Sequence, residues 1–132
     1  NIYLNRDNGI RDFIVEKTLR IRDHHHNSIK MFYEAGGNMA MGTDAGTPFN
    51  VHGDNTKELQ YMVDLGVSNL DALKISTSNA ADLMDLQDRG IIKEGFYADF
   101  LIVNGDPVKD ISKVADRTNH QIVVKNGAQI KK

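Results

Sequence analysis

Apolar residues recur at helical spacing through the first quarter of the chain. Between Ile10 and Tyr33 they fall on one stripe at intervals of three or four positions, which predicts a long amphipathic helix over residues 10–36. The glycines at 36 and 37 end it. Small and apolar residues follow at 38–42 and predict a strand buried on both faces, as in a parallel sheet.

Three shorter helices are predicted next, followed by strands. The helices are expected over residues 56–65, where Asn55 and Glu58 have capping-box spacing, from Ser68, and from Ser78 or Asn79. After Gly90 the period changes, and strands are expected at 100–103, 122–125 and 128–130, the last two joined at a hairpin turn. We therefore expect an α/β fold with one domain over 1–89 and a β domain over 90–132, the helix-strand-helix order being typical of a parallel barrel.

The composition of the chain limits the partners and metal ligands that can be expected. The 132 residues carry a net charge of -2 with dispersed lysines and arginines, which gives no reason to expect nucleic acid or a membrane surface as a partner. Cysteine is absent, so any metal must be held by oxygen and nitrogen ligands. No apolar run approaches the roughly 18 residues of a membrane span. The compartment stays open, with the cytoplasm favoured.

The loop after residues 38–42 carries the main candidate for chemistry. Asp44 follows the predicted strand, and in α/β folds the loops after the carboxyl ends of parallel strands form the active-site face. The alternative is that Asp44 only caps a helix or makes an Asx-turn. In the same loop Thr43 can form hydrogen bonds, Gly46 permits a close approach of the backbone to a ligand, and Phe49 offers either an apolar wall or packing.

The histidines of the chain differ in what their positions predict. His52 lies in the loop after Asp44 and is a candidate either for substrate contact or for a bracing hydrogen bond. The run His24-His25-His26 is not expected to bind one ion, because adjacent residues of a helix point in different directions. His25 falls on the apolar stripe and is expected to be largely buried.

The order of several segments resembles the metal-dependent amidohydrolase superfamily. Thr43 to Pro48, followed by His52 to Asn55, is similar to its eighth-strand segment, and most similar to the imidazolonepropionase-related and Xaa-Pro dipeptidase-like branch. Later segments continue the resemblance in the same order, which extends from about Arg11 to Lys132: Glu58 to Val63, Thr77 to Ala81, Gly90 to Gly95, Ala98 to Val103, and Gly105 to Pro107.

The resemblance implies a fold and a reaction. The fold is the carboxyl-terminal part of a TIM (β/α)8 barrel followed by strands of a small composite β-sandwich. The reaction is hydrolysis of a C–N bond in an amide, cyclic amide or dipeptide by a metal-activated water. One or two divalent ions, most often zinc, act in the family, and Asp44 matches the residue that binds metal and accepts the proton. His52, Thr43, Gly46 and Phe49 would lie near the substrate.

The same resemblance implies that this chain is part of a longer polypeptide. The family's enzymes are roughly three times this length and the chain begins without Met, so we expect the carboxyl-terminal third of a longer polypeptide. The family's other ligands, a His-x-His pair, a lysine and two histidines, have no counterpart here, and the isolated segment is predicted to be inactive. The remainder of the parent chain or another copy would complete the barrel, and homo-oligomerisation stays open. A non-catalytic scaffold, or a subunit that completes a barrel with another chain, is the alternative.

Overall fold

The computed structural model describes residues 5–131. From residue 12 onward the elements follow in this order: α1 Asp12–Glu34, α2 Lys57–Asp64, α3 Asn69–Ile75, α4 Ser78–Leu83, β1 Phe100–Val103, α5 Ser112–Ala115, a 3₁₀ turn Arg117–Asn119, β2 His120–Lys125 and β3 Ala128–Lys131. The contacts divide these residues into two units. The first contains 5–37 and Thr43–Asn55, and the second contains Asn38–Gly42 and 56–131.

The first unit contains the long helix that the apolar stripe predicts. Helix α1 has 23 residues and none of them is buried. The stripe is largely solvent-exposed: Phe13 is 62% exposed and Phe32 is 52% exposed. His25 is exposed as well, so the prediction that it is largely buried is wrong. The reason is that the described part of this unit holds no second α-helix or strand to cover the stripe.

Residues 38–42 form neither a helix nor a strand, so the prediction of a strand there is also wrong. In this segment the N–H of Met41 donates a hydrogen bond to the carbonyl oxygen of Ile75 at 3.0 Å. A strand needs a neighbour that offers a ladder of donors and acceptors. Among the described residues the three strands pair only with one another, in the order β1-β2-β3, and none runs beside 38–42.

The second unit has an apolar core made by short helices. Its buried residues lie in α2 to α5 and in the loops beside them: Leu59, Met62, Val67, Ala72, Ile75, Ala81, Ile111, Val114 and Ala115. Ser68 caps α3 as predicted, accepting a hydrogen bond from the Asp71 N–H at 3.1 Å. Helix α2 begins one residue later than the capping-box spacing predicts, with Thr56 at its N-cap. The Thr56 hydroxyl instead donates to the Ala115 carbonyl at 3.1 Å, which joins α2 to α5.

The three strands form an antiparallel sheet. Phe100 pairs with Val124 in the first ladder, and Lys125 pairs with Ala128 in the second. The hairpin turn between β2 and β3 has positive φ at both central residues, 50° at Asn126 and 75° at Gly127, as a type I′ turn requires. The predicted hairpin is therefore confirmed, and the described chain is a partial α/β structure.

Asp99, which directly precedes β1, forms hydrogen bonds to the hairpin between β2 and β3. Its carboxylate accepts hydrogen bonds from the Lys125 ammonium and from the Asn126 N–H, the latter at 2.6 Å. These two donors, Lys125 first, hold the pKa of the Asp99 carboxyl below its ordinary value. Within residues 5–131, no helix combines the length and the apolar character needed to cross a bilayer.

Candidate functional site

The loop Thr43–Asn55 belongs to the first unit and bends sharply at two non-glycine residues. Asp44 has a φ of 49° and Phe49 has a φ of 62°. Such left-handed values are uncommon outside glycine, although Asp tolerates them better than most residues. Aspartate therefore suits its position, whereas Phe49 is held there against its own preference.

Main-chain hydrogen bonds close the first half of this loop. The N–H and the hydroxyl of Thr47 both donate to the Asp44 carbonyl, at 3.3 and 3.0 Å. The Asn50 N–H donates to the Thr47 carbonyl at 3.0 Å, and the Gly46 N–H donates to the Asn50 carbonyl at 2.7 Å. The turn is thus made by the carbonyl of Asp44, and its side chain takes no part.

The Asp44 carboxylate is exposed and has no hydrogen-bond partner among residues 5–131. The alternative of a helix cap fails because the residue that occupies the N-cap of α2 is Thr56. The Asx-turn alternative fails because the carboxylate accepts no backbone N–H of the described loop. An ionised carboxylate offers only acceptor oxygens, so this one remains available for a cation or a proton.

Two asparagines hold Thr43, the residue before Asp44. The Asn50 side-chain amide donates to the Thr43 carbonyl, and the Asn55 amide donates to the Thr43 hydroxyl at 3.3 Å. The spacing of Asn55 and Glu58 predicts a capping box, and the sequence indicates no more than a structural role for Asn50. The signal that was available is only that both are amides within twelve positions of Thr43.

His52 and Phe49 complete the predicted set. The His52 side chain is exposed, and its ring lies against Gly46: a Cβ on that glycine would stand 3.1 Å from His52 Nε2. Gly46 also has a φ of 101°, so a glycine is needed there for two reasons. Phe49 is 41% exposed. The structure thus brings Thr43, Gly46 and His52 into one hydrogen-bonded and packed loop, with Asp44 and Phe49 at its bends.

The described residues offer few groups that could bind a metal ion together. In the part of the chain that the structure describes, no three histidines, aspartates or glutamates lie close enough to hold an ion. Asp44 by itself suits one ligand position, because a free carboxylate oxygen is a normal ligand of divalent ions. The donor set of the described residues therefore fits a single contribution to a metal site.

Comparison with known families settles the family of the chain. The sequence profile described as "Amidohydrolase family" matches residues 3–130. The chain belongs to the amidohydrolase family. A search of curated proteins found no match. The chain spans 30% of the length of two solved structures that it matches, a Xaa-Pro dipeptidase and a prolidase.

Three solved structures illustrate the likeness. A Xaa-Pro dipeptidase with bound methionine in its active site is 32% identical, with a TM-score of 0.83 over 96% of this chain and 30% of that one. A prolidase complexed with N-methylphosphonate-L-proline is 25% identical, with a TM-score of 0.82 over 94% and 30%. The ochratoxinase of A. niger is 27% identical, with a TM-score of 0.77 over 93% and 28%. The amidohydrolase chain is thus similar to dipeptidase-like members, and its relation to imidazolonepropionases stays a prediction.

Proposed function

We propose that this chain is part of a metal-dependent hydrolase that cleaves a C–N bond in an amide, cyclic amide or dipeptide. The observation that carries the proposal is the Asp44 carboxylate. It is exposed and without a hydrogen-bond partner in the described residues, at the bend of a loop in which the side chains of Thr47, Asn50 and Asn55 do form hydrogen bonds. Family membership and the likeness to a Xaa-Pro dipeptidase and a prolidase support the bond type.

Asp44 is proposed to act twice. One carboxylate oxygen would hold a divalent ion, for which zinc is our proposal, and the carboxylate would accept the proton of the attacking water and pass it to the leaving nitrogen. The ion would supply polarisation of the scissile carbonyl and a lower pKa for the water. The remaining ligands would come from residues outside this chain, so the 132 residues alone are expected to be inactive.

The substrate is proposed to lie against the exposed side chains of the same loop. His52 can offer a hydrogen bond and Phe49 can offer an apolar face. Gly46 leaves room beside them, since its bare Cα faces the His52 ring. Thr43 is engaged by Asn50 and Asn55, so its contribution is to hold the loop in place. The proposed substrate class is a small molecule or a dipeptide.

The architecture is proposed from the same likeness. Residues 1–89 would supply the last units of a TIM (β/α)8 barrel, and 90–132 would supply strands of a β-sandwich. Two observations support missing neighbours. Residues 38–42, which have the composition of a buried strand, have no partner strand among the described residues. Three successive residues of β1, on both of its faces, are between 36% and 41% exposed: Phe100, Leu101 and Ile102. The remainder of a parent chain, or another copy, would cover them.

The test compares two aspartates in the full-length natural protein. Asp44→Asn removes the negative charge at the proposed site, and Asp85→Asn is the matched control, because Asp85 is also exposed and also has a positive φ, 54° against 49°. Asparagine tolerates that backbone, so both variants are expected to fold. Hydrolysis of Xaa-Pro dipeptides and N-acyl amino acids is measured together with metal content.

We expect D44N to lower kcat by about 10²-fold or more, which is the usual contribution of a proton-transferring group, and D85N to leave it unchanged. We also expect D44N to hold less metal than D85N. Equal activity in the two variants would contradict the role of Asp44. A metal-free natural protein with no hydrolase activity would favour the non-catalytic scaffold.

A further inference from the structure

Asn50 uses three of its polar groups inside the loop. Its N–H donates to the Thr47 carbonyl at 3.0 Å, its carbonyl accepts the Gly46 N–H at 2.7 Å, and its side-chain amide donates to the Thr43 carbonyl. The side chain of Asn50 thus reaches the residue before Asp44, and its main chain bonds Gly46 and Thr47, which follow Asp44. One residue therefore touches the chain immediately before and shortly after Asp44.

These bonds meet a specific physical need. Asp44 has a φ of 49°, and a left-handed residue costs about 1–2 kcal/mol for L-amino acids, less for aspartate than for most. Such a conformation persists only when the surrounding structure over-determines it. Asn50 bonds both the Thr43 carbonyl and the Gly46 N–H, so it holds the peptide unit that precedes Asp44 and the one that follows Ala45.

We propose that Asn50 is a positioning residue: its side-chain bond to the Thr43 carbonyl sets the backbone of Asp44 and thereby aims the carboxylate. This inference rests on the proposed function for its catalytic consequence, but its geometric content stands apart from it. Asn50 itself touches neither substrate nor metal in this proposal. Loss of its amide would leave the Asp44 side chain present but misdirected.

The experiment compares Asn50→Ala with Asn69→Ala in the full-length natural protein. Asn69 is the matched control, because its side-chain amide also donates to a backbone carbonyl, that of Val108 at 3.0 Å, and it is likewise half-buried but lies in the second unit. Each variant loses one amide-to-carbonyl bond, so similar falls in melting temperature are expected from both. A role in stability alone would affect the two alike.

Two readouts separate positioning from stability. With ¹⁵N-aspartate labelling, the NOE between the N–H and Hα of Asp44 is strong when φ is positive, because the two protons approach each other. We expect this NOE to weaken in N50A and to persist in N69A. We also expect N50A to lower kcat by about 10- to 100-fold with KM nearly unchanged, the scale of a misplaced catalytic group, and N69A to change neither.

The outcomes distinguish the two proposals. An unchanged Asp44 NOE in N50A overturns the positioning role whatever the activity. A changed NOE with unaltered kcat, while D44N is inactive, also overturns it, because the carboxylate then tolerates the movement. Full activity in D44N removes the proposed function and the catalytic part of this inference together. Should N50A fail to fold, N50S, whose hydroxyl ends short of the Thr43 carbonyl, is measured in the same way.

Discussion

Gly90 tests the packing of the second unit most sharply. It has a φ of +90°, and a Cβ placed on it would stand 2.7 Å from the Ala81 Cβ, 3.1 Å from the Ser78 Cα and 3.2 Å from the Thr77 carbonyl oxygen. None of these neighbours is the end of a flexible side chain, so they yield only if helix α4 shifts. Gly95 is the matched control, because its φ is +83° and nothing lies within 4 Å of its position for a Cβ.

The two substitutions separate backbone strain from steric overlap. Gly95→Ala carries the strain of a left-handed residue alone, about 1–2 kcal/mol. Gly90→Ala carries the same strain together with overpacking against Ala81, which adds about 1–3 kcal/mol. The change in the unfolded chain is the same in both and cancels in the comparison. We therefore expect G90A to lower the free energy of unfolding by about 2–5 kcal/mol in total.

Urea unfolding followed by circular dichroism measures both values by linear extrapolation. The quantity that decides is the difference between the variants. Equal losses in G90A and G95A would refute the reasoning, since they would mean that α4 does not lie against Gly90 as the structure has it. A larger loss in G95A would refute it as well.

Two further predictions concern the hairpin and the loop. The pKa of Asp99 is lowered in the folded protein, chiefly by Lys125, so its contribution to stability is complete above the unfolded pKa of about 3.9 and is lost as the pH falls through the folded pKa. The free energy of unfolding should therefore fall less steeply with acid pH in D99N than in the wild type. Parallel curves for the two proteins would contradict this. Gly46→Ala and Gly53→Ala share the cost of a positive φ, but only Gly46→Ala places a Cβ against the His52 ring. If His52 contacts the substrate, the KM for the substrate should rise in G46A alone. An equal rise in both variants would count against that contact.

Local patterns in the sequence predicted the elements whose bonds are local. The spacing of apolar residues was enough for α1, because a helix satisfies its own backbone groups within four residues. Ser68 predicted the start of α3, and Asn126-Gly127 predicted the hairpin, since capping and tight turns depend on a few adjacent positions. The family could also be predicted from the sequence, because the order of several short segments along the chain indicates it without knowledge of any tertiary contact.

Features that depend on distant partners needed the tertiary structure. Residues 38–42 have the composition of a strand, but a strand exists only where another strand offers a ladder, and the described chain gives them none. His25 has the position of a core residue, but burial needs a second element against the stripe. Asn50 is an ordinary turn residue by type, and its bond to the Thr43 carbonyl spans seven positions of a loop that turns through positive φ values at Asp44, Gly46 and Phe49. The sequence by itself determined the position of the candidate carboxylate along the chain. Only the folded loop showed that this carboxylate has no partner in the described residues and which residues hold the backbone beside it, because hydrogen bonds across a loop depend on backbone angles that the spacing of residues does not encode.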